Sequence, residues 1–405
     1  MKTQIDKFSN HIKNVAHGFF LSLATTIAEP ATILPLIINF FGGGSILVGF
    51  FAALLRGGAI LVQLYAAFHA QAYPHMMKYL RRVFFARWLA WFLIGLSIIL
   101  FGEDNHTLTL FCIGIGLFVF SFSAGFGAIY FKETSAKIFT HKYRGFTMAW
   151  RQSFTAFGAI ISGAVAGWVL ENYEAPLSFG YLFLISSFLM AIGFIAFGTV
   201  EEPIKEKVSQ KEKSFKLFLK NAKDILKVDK DLQIQVTTFL FAYGYLIALP
   251  FIILDAQSKI DLTGTAIGIL ITAQMTGALI SNYLWGKLTS RGKNKLTTNI
   301  AIFFMIIAVS IAFNASTLFE YMLIFFIAGA STDGNRISSG NLIVQIAPEE
   351  KRPVYVALQA NITSLGLFFS IVGGFVLAWF GYTALYSLTL LFLLFAFFMS
   401  FKLKD

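Results

Sequence analysis

Residues 201–232, EEPIKEKVSQKEKSFKLFLKNAKDILKVDKDL, form the one long polar interruption in a chain of 405 residues that is 57% hydrophobic and 13% charged. Phe215, Phe218, Leu219, Ala222, Ile225 and Leu226 recur there at helical spacing, with Lys216, Lys220, Lys223 and Lys227 on the remaining faces. That pattern predicts a basic amphipathic helix lying along a membrane surface. A docking site for a regulator is the functional alternative for the same segment.

Outward from this interruption the chain is a series of apolar runs, six on each side. Spans 1 to 6 are read at 17–40, 44–68, 82–101, 107–131, 145–170 and 179–200. Spans 7 to 12 follow at 233–256, 263–287, 296–314, 320–345, 355–379 and 382–401. Each approaches or exceeds the roughly 20 residues that cross about 30 Å of hydrocarbon. The predicted fold class is therefore all-α membrane, with twelve transmembrane helices in two pseudo-symmetric six-helix bundles. The bundles are 1–200 and 233–405, joined by the linker 201–232.

Charge sorts by loop parity, which fixes an orientation. Lys2, Lys7 and Lys13 precede span 1; Lys78, Arg81 and Arg82 follow span 2; Lys132, Lys137, Lys142 and Arg144 follow span 4. The linker lysines, Lys287, Arg291, Lys293 and Lys295, then Lys351 and Arg352, then Lys402 and Lys404, continue on every second loop. The opposite loops hold only Lys259. The positive-inside rule then predicts an integral, multi-pass protein of the cell (inner) membrane with both termini cytoplasmic. The lysines before span 1 resemble those of a signal peptide, but the run is long, carries Glu29 and Pro30 and leads directly to another span, so a retained helix is expected.

The net charge of +11 accordingly points to an anionic leaflet, not to nucleic acid. Cys112, the single cysteine, lies inside span 4, which excludes an intramolecular disulfide and a thiolate metal cluster. The histidines at 11, 17, 69, 75, 106 and 141 sit in loops or at span ends without metal-ligand spacing, so no metal and no cofactor is expected.

An internal repeat relates the halves. A shift of 208 superimposes Arg144 on Arg352, Ala149 on Ala357, Thr155 on Thr363, Gly158 on Gly366 and Ser162 on Ser370. A shift of 219 places Gly49 on Gly268, Gly58 on Gly277 and Ala59 on Ala278, and a shift of 215 places Leu34-Pro35 on Leu249-Pro250. Such repeats are the mark of transporters built by duplication. Spans 3, 6, 9 and 12 carry almost nothing ionisable except Arg87, expected to snorkel, and should face lipid. Polar side chains concentrate in spans 1, 2, 5, 8, 10 and 11, including Gln63, Gln274 and Asn282.

The loop after span 8, Gly286-Lys287-Leu288-Thr289-Ser290-Arg291-Gly292-Lys293-Asn294-Lys295, resembles the Gly-x-x-x-Asp-Arg-x-Gly-Arg-Arg/Lys loop of the major facilitator superfamily. Ser290 stands at the usual Asp position, and the glycine and basic residues are offset by one. The resemblance implies the major facilitator fold, with Gly286, Arg291, Gly292 and Lys293 forming a gating loop. The loop after span 2, Ala67 to Pro74, has lost most of the pattern. Span 5 reads Gly158-Ala159-Ile160-Ile161-Ser162-Gly163-Ala164 without the proline of drug antiporters, and span 4 lacks their arginine.

An ionised side chain at mid-bilayer depth costs about 2.5 to 3.5 kcal/mol on insertion scales, so each needs a partner or a function. Glu29 is halfway through span 1, near Pro30 and Pro35, and Arg56 is halfway through span 2; mutual pairing and solute binding are both open. In span 10, Asp333 and Arg336 share one face a turn apart, beside Asn335. Arg151 and Gln152 in span 5, with Gln359 and Asn361 in span 11, complete the expected substrate-binding set; Arg151 could equally be structural. Glu29 and Asp333 are the expected proton-coupling carboxylates. Asp255, near the outer end of span 7, is expected at the interface.

The expected function is secondary active transport of a small anionic or zwitterionic organic solute by alternating access, coupled to protons, at a site made by spans 1, 2, 5, 10 and 11. Export of amphipathic compounds is the alternative, and a non-transporting sensor the third reading. An enzyme is not expected, because no nucleophile, base and metal set shares one depth. The expected partners are the solute, protons and the lipid bilayer, in a monomer.

Overall fold

The computed structural model describes residues 6–27, 29, 31–70, 73–204, 224–348 and 352–404. The segment predicted as an amphipathic linker helix lies largely, and Pro30 wholly, outside the described residues.

All twelve predicted spans are helical, and several extend further on the basic side than hydropathy indicates. Span 1 starts at Phe8, span 4 runs His106–Ile138 and span 5 runs His141–Asn172. Polar residues continue these helices past the hydrocarbon boundary, where no desolvation cost marks an end. Spans 3, 6, 8, 9 and 10 run Met77–Phe101, Leu177–Gly198, Gly264–Thr289, Asn294–Ala312 and Leu318–Ile346. Span 10 opens on a capping box: the Thr317 hydroxyl accepts the Glu320 N–H while the Glu320 carboxylate accepts the Thr317 N–H.

Four spans are interrupted. Span 1 is helical over Phe8–Thr26 and again over Ile33–Phe40; span 2 over Ser45–Gly57 and Ile60–Ala70. Span 7 passes through a 3₁₀ stretch, Tyr243–Ile247, before Leu249–Lys259, and span 11 through Ser364–Phe368. In span 1 the hydroxyls of Thr25 and Thr26 donate back to the carbonyls of Leu21 and Ser22, both at 2.9 Å, a pattern that bends helices. Pro35 and Pro250 each fall in the first turn of the resumed helix, where their missing N–H has no intrahelical partner to lose. The repeated Leu-Pro pair thus restarts the same span in both halves. Spans 11 and 12 follow without a long loop, the direction changing at Gly381, whose φ of 76° suits glycine.

Contacts divide the chain into two compact units. One comprises Met1–Glu29, Leu54–Lys213 and Thr263–Gly268; the other comprises Pro30–Ala53, Ser214–Leu262 and Ile269–Asp405. In the first, the Trp91 indole donates to the Ser186 hydroxyl at 2.7 Å, which donates on to the Ala24 carbonyl, tying spans 3, 6 and 1. In the second, the Trp285 indole donates to the Ala330 carbonyl at 3.0 Å, and the Ser331 hydroxyl to Ala301 at 2.7 Å, tying spans 8, 10 and 9.

The basic loops gather on one side of each unit. Lys7 bonds Glu201 at 2.7 Å, and Asp6 accepts from the Thr140 N–H at 2.7 Å. The hydrogen bond and charge of Lys7 hold the exposed Glu201 carboxyl below its ordinary range. Glu202 is buried; its Oε1 accepts from the Met76 N–H at 3.0 Å and from Lys137, and its Oε2 from the Met77 N–H at 2.6 Å. It supplies negative charge at the N-terminus of span 3. In the second unit Tyr355 donates to Asp229 at 2.5 Å and Lys404 bonds Asp231 at 2.8 Å.

On the opposite side, close seams of small residues join helices within each unit. Ser370 donates to the Gly49 carbonyl at 2.8 Å and Ser45 to the Gly374 carbonyl at 3.0 Å, joining spans 2 and 11. Gly268 lies against Gly163 and Gly167, joining spans 8 and 5, and the Glu171 carboxylate accepts the Thr265 N–H at 2.9 Å. Gly49 and Gly268 are repeat counterparts, so the two seams are the same contact written twice. A Cβ on Gly49 would collide with the Ser370 backbone, whereas one on Gly340 meets nothing within 4 Å. Gly49→Leu is expected to cost about 1–3 kcal/mol and to lower the unfolding temperature of the purified protein by several degrees relative to Gly340→Leu, as read by differential scanning fluorimetry.

Candidate functional site

In the first unit the polar centre lies at the helix breaks. Glu29 occupies the gap between the halves of span 1, and Arg56 the last turn of the first half of span 2. Arg56 Nη2 donates to Glu29 Oε1 at 2.5 Å, with the two side chains 25% and 18% exposed. The position suits Arg56, whose guanidinium lies in the last turn of Ser45–Gly57. Of the two readings left open for these residues, the pairing is present, and it leaves both partly accessible.

Arg151 is not brought to this pair. Its Nη1 donates to the Asn14 carbonyl at 2.8 Å and contacts His17 Nδ1 at 2.7 Å, and its guanidinium lies 4.7 Å from the Phe131 ring centre. His17 is buried among Phe84, Phe131, Phe194 and Phe197. Arg151 therefore fastens spans 5, 1 and 4, while the neighbouring Gln152 is exposed. Arg87 does not snorkel: its guanidinium packs 4.3 Å from Phe120 and 5.4 Å from Phe194. Two aromatic faces offer this cation an alternative to water.

In the second unit spans 8 and 10 build the other polar centre. Arg336 contacts Asp333 Oδ1 through Nη2 at 2.9 Å and Nε at 3.1 Å, and Asn282 Nδ2 donates to Asp333 Oδ2 at 3.0 Å. Asp333 is 20% exposed and Arg336 59%. The carboxylate is thus held from both sides, while the guanidinium keeps open valence. The amide oxygens of Asn282, Asn335 and Gln274 are buried without a hydrogen-bond partner among the described residues. Buried acceptors of this kind carry a desolvation penalty until a donor reaches them.

Gln359 and Asn361 are engaged elsewhere. Gln359 donates to the Ser339 hydroxyl at 2.7 Å, linking spans 11 and 10, and Asn361 to its own Ala357 carbonyl at 2.7 Å. The loop after span 8 closes in a Schellman motif: Lys293 N–H bonds Leu288 O at 3.1 Å and Gly292 N–H bonds Thr289 O at 3.0 Å, with Gly292 at φ 76°. Gly286 lies within the helix before it, and Arg291 and Lys293 project outward, bonding no carbonyl through their side chains among the described residues.

Two buried carboxylates escaped the sequence. Glu202 read as part of a polar linker. Asp255, expected at the interface, is fully buried, accepting from Tyr321 Oη at 2.8 Å and Lys259 Nζ at 2.9 Å. The Lys259 spacing of four residues was the available signal. Among the described residues no group of His, Cys, Asp and Glu has the arrangement to hold a metal ion.

Twelve spans in two halves related by a repeat, with ion pairs inside the helical bundles, define a multi-pass membrane transporter. The chain belongs to the Major Facilitator Superfamily, whose family model matches residues 15–230 and 234–405. No curated protein matches it in sequence. Among solved structures it is similar to a bacterial homologue of the iron transporter ferroportin in an inward-facing state, at 12% identity and TM-score 0.74, covering 97% of this chain and 98% of that one. It is also similar to the nucleoside transporter NupG, at 14% identity and TM-score 0.70, with coverage of 97% and 98%. A D-xylose–proton symporter aligns at 13% identity and TM-score 0.67, with coverage of 96% and 97%. At these identities the likeness speaks for the fold.

Removing one member of the Glu29–Arg56 pair strands the other in a half-buried setting. In a double-mutant cycle, Glu29→Gln and Arg56→Gln are each expected to destabilise more than the combined variant, with a coupling of about 1–3 kcal/mol. Thermal unfolding of the four proteins in one detergent measures it.

Proposed function

We propose that this transporter moves a small anionic or zwitterionic organic solute by secondary active transport with alternating access, coupled to protons. The observation that carries the reading is the pairing of both signs of charge with unmatched acceptors. Arg56 and Arg336 can receive a carboxylate or phosphate, and the amide oxygens of Asn282 and Asn335 can receive an ammonium or hydroxyl donor. A solute carrying both functions would satisfy the amide oxygens of Asn282 and Asn335 and compete with the carboxylates for the arginines.

Glu29 and Asp333 are the proposed proton carriers. Each is partly accessible and already bound to an arginine, so protonation would release that arginine to the solute, and deprotonation would reclaim it. We assign the basic side to the cytoplasm and the protein to the inner membrane as a monomer; the sorting of Lys and Arg by loop supports the orientation. Gln152, Asn335, Gln359 and Asn361 remain candidate solute contacts, and the glycine-terminated loop of Gly286, Arg291, Gly292 and Lys293 a candidate gate.

Export of amphipathic compounds is the second reading. Phe146, Trp150, Phe154 and Phe157 form an exposed aromatic stripe along span 5, between 40% and 55% exposed. Such a stripe suits flat apolar solutes, though lipid contact gives the same pattern.

Proteoliposomes carrying an imposed inward proton gradient test the leading reading, using a panel of amino acids, carboxylates and phosphorylated metabolites. Uptake of an anionic or zwitterionic compound is expected. Glu29→Gln or Asp333→Asn should lower gradient-driven uptake by at least about tenfold, while counterflow exchange without a gradient falls less. Full gradient dependence in the double variant would rule out these carboxylates as carriers, and accumulation of only lipophilic compounds would favour the second reading.

A further inference from the structure

The basic side of the first unit carries cations that no carboxylate answers. Lys7 is matched by Glu201 and Lys137 by Glu202, while Arg144 bonds the carbonyls of Ala136 and Phe139. Lys78, Arg81 and Arg82 differ. They are exposed, and none has a carboxylate partner among the described residues. Arg81 uses only Nε, donating to the Gly198 carbonyl at 2.8 Å, and Arg82 lies 6.0 Å from the Tyr79 ring centre. Spacings of three and four residues put all three cations on adjoining positions of the first turns of span 3.

A groove of about 490 Å³ begins at Arg81 and runs between spans 3 and 6. Phe84, Phe85 and Trp88 line one wall, following Arg81 at helical spacing; Ala191, Ile195 and Gly198 line the other. Small side chains at 191 and 198 open the trough between two otherwise bulky helices. Phe85 is 59% and Ile195 65% exposed, so the groove opens to the surroundings of the bundle. Trp88 lies seven residues beyond Arg81, about 10 Å further along the helix axis. The groove thus passes from headgroup depth into hydrocarbon. Its polarity changes along that path in the order found in a lipid.

We propose that this groove holds one anionic phospholipid of the leaflet on the basic side, with its phosphate on Arg81, flanked by Lys78 and Arg82, and an acyl chain against Phe85, Trp88 and Ile195. Unpaired cations at the mouth of a cleft between transmembrane helices recognise such headgroups by charge. Arg81 is held in place through its Nε, which leaves both terminal nitrogens to form a fork for phosphate oxygens. The apolar trough supplies the second half of the recognition, since each buried methylene adds to the attraction. Neither part depends on the identity of the transported solute.

Native mass spectrometry of the delipidated protein, titrated with phosphatidylglycerol or phosphatidylcholine of matched chains, tests the site. Phosphatidylglycerol is expected to bind the wild type at least about fivefold more tightly. Lys78→Gln with Arg82→Gln should remove that preference while leaving phosphatidylcholine binding unchanged. Gly198→Leu fills the trough and should weaken both lipids; an added Cβ there meets only Arg81 Cγ, at 3.8 Å, so the fold should be retained. Should either variant fail to fold, dibrominated phosphatidylglycerol in nanodiscs should quench the Trp88 component of wild-type fluorescence, identified by difference from Trp88→Phe, more than dibrominated phosphatidylcholine does. Equal binding of the two lipids by the wild type, or binding indifferent to Gly198→Leu, or equal quenching, would overturn the proposal.

Discussion

A charged group inside a bilayer has to be compensated, and the interior of this protein is arranged around that requirement. The compensations differ in kind. Glu29 and Arg56 neutralise each other where two helices break; Asp333 is shared between Arg336 and Asn282; Asp255 is closed off between Tyr321 and Lys259. Arg87 and Arg151 rest on aromatic rings in place of a counter-ion. The three carboxylates differ in access: Glu29 and Asp333 stay 18% and 20% exposed, whereas Asp255 is 1% exposed. Depth and charge alone would have grouped all of them together.

The architecture was legible because hydrocarbon imposes length and loop charge imposes order. The spans could be read directly, and Leu34-Pro35 with Leu249-Pro250 even marked where span 1 and span 7 resume. The breaks in spans 2 and 11 could not be. Gly58-Ala59 and Ser364–Phe368 lack proline, and their repeat counterparts at 277–278 and 156–160 stay helical, so packing rather than local preference decides them. Among candidate site residues, pairing by depth found Glu29 with Arg56, and helical spacing found Asp333 with Arg336. Arg151 and Gln359 look equally polar in sequence but are fastened to neighbouring helices, a distinction that depends on Asn14, His17 and Ser339. Glu202 was hidden because its burial comes from a helix start more than a hundred residues away.

The seams of small residues show how close packing and repetition combine. Without a hydrophobic drive between helices in lipid, backbone proximity and Ser or carboxylate hydrogen bonds provide the attraction. Gly49 against Ser370 and Gly268 against Gly163 apply this solution twice, and Ser370 is itself the repeat partner of Ser162. Conserving the backbone approach across a duplication requires only that side chains stay small. That is a weak demand, and it tolerates wide divergence elsewhere.

The interruption of span 1 between Thr26 and Ile33 recurs at the matching place in the second half. Its counterpart in span 7, by the shift of 215, falls on the 3₁₀ stretch Tyr243–Ile247. The charges do not recur: Glu29 corresponds to Gly244, Arg56 to Met275, and Asp333 with Arg336 to Gly125 with Ala128. The two halves therefore share a place where a helix breaks but not the ionic groups beside it, so an exchange of charge in one half leaves the backbone course of the other untouched.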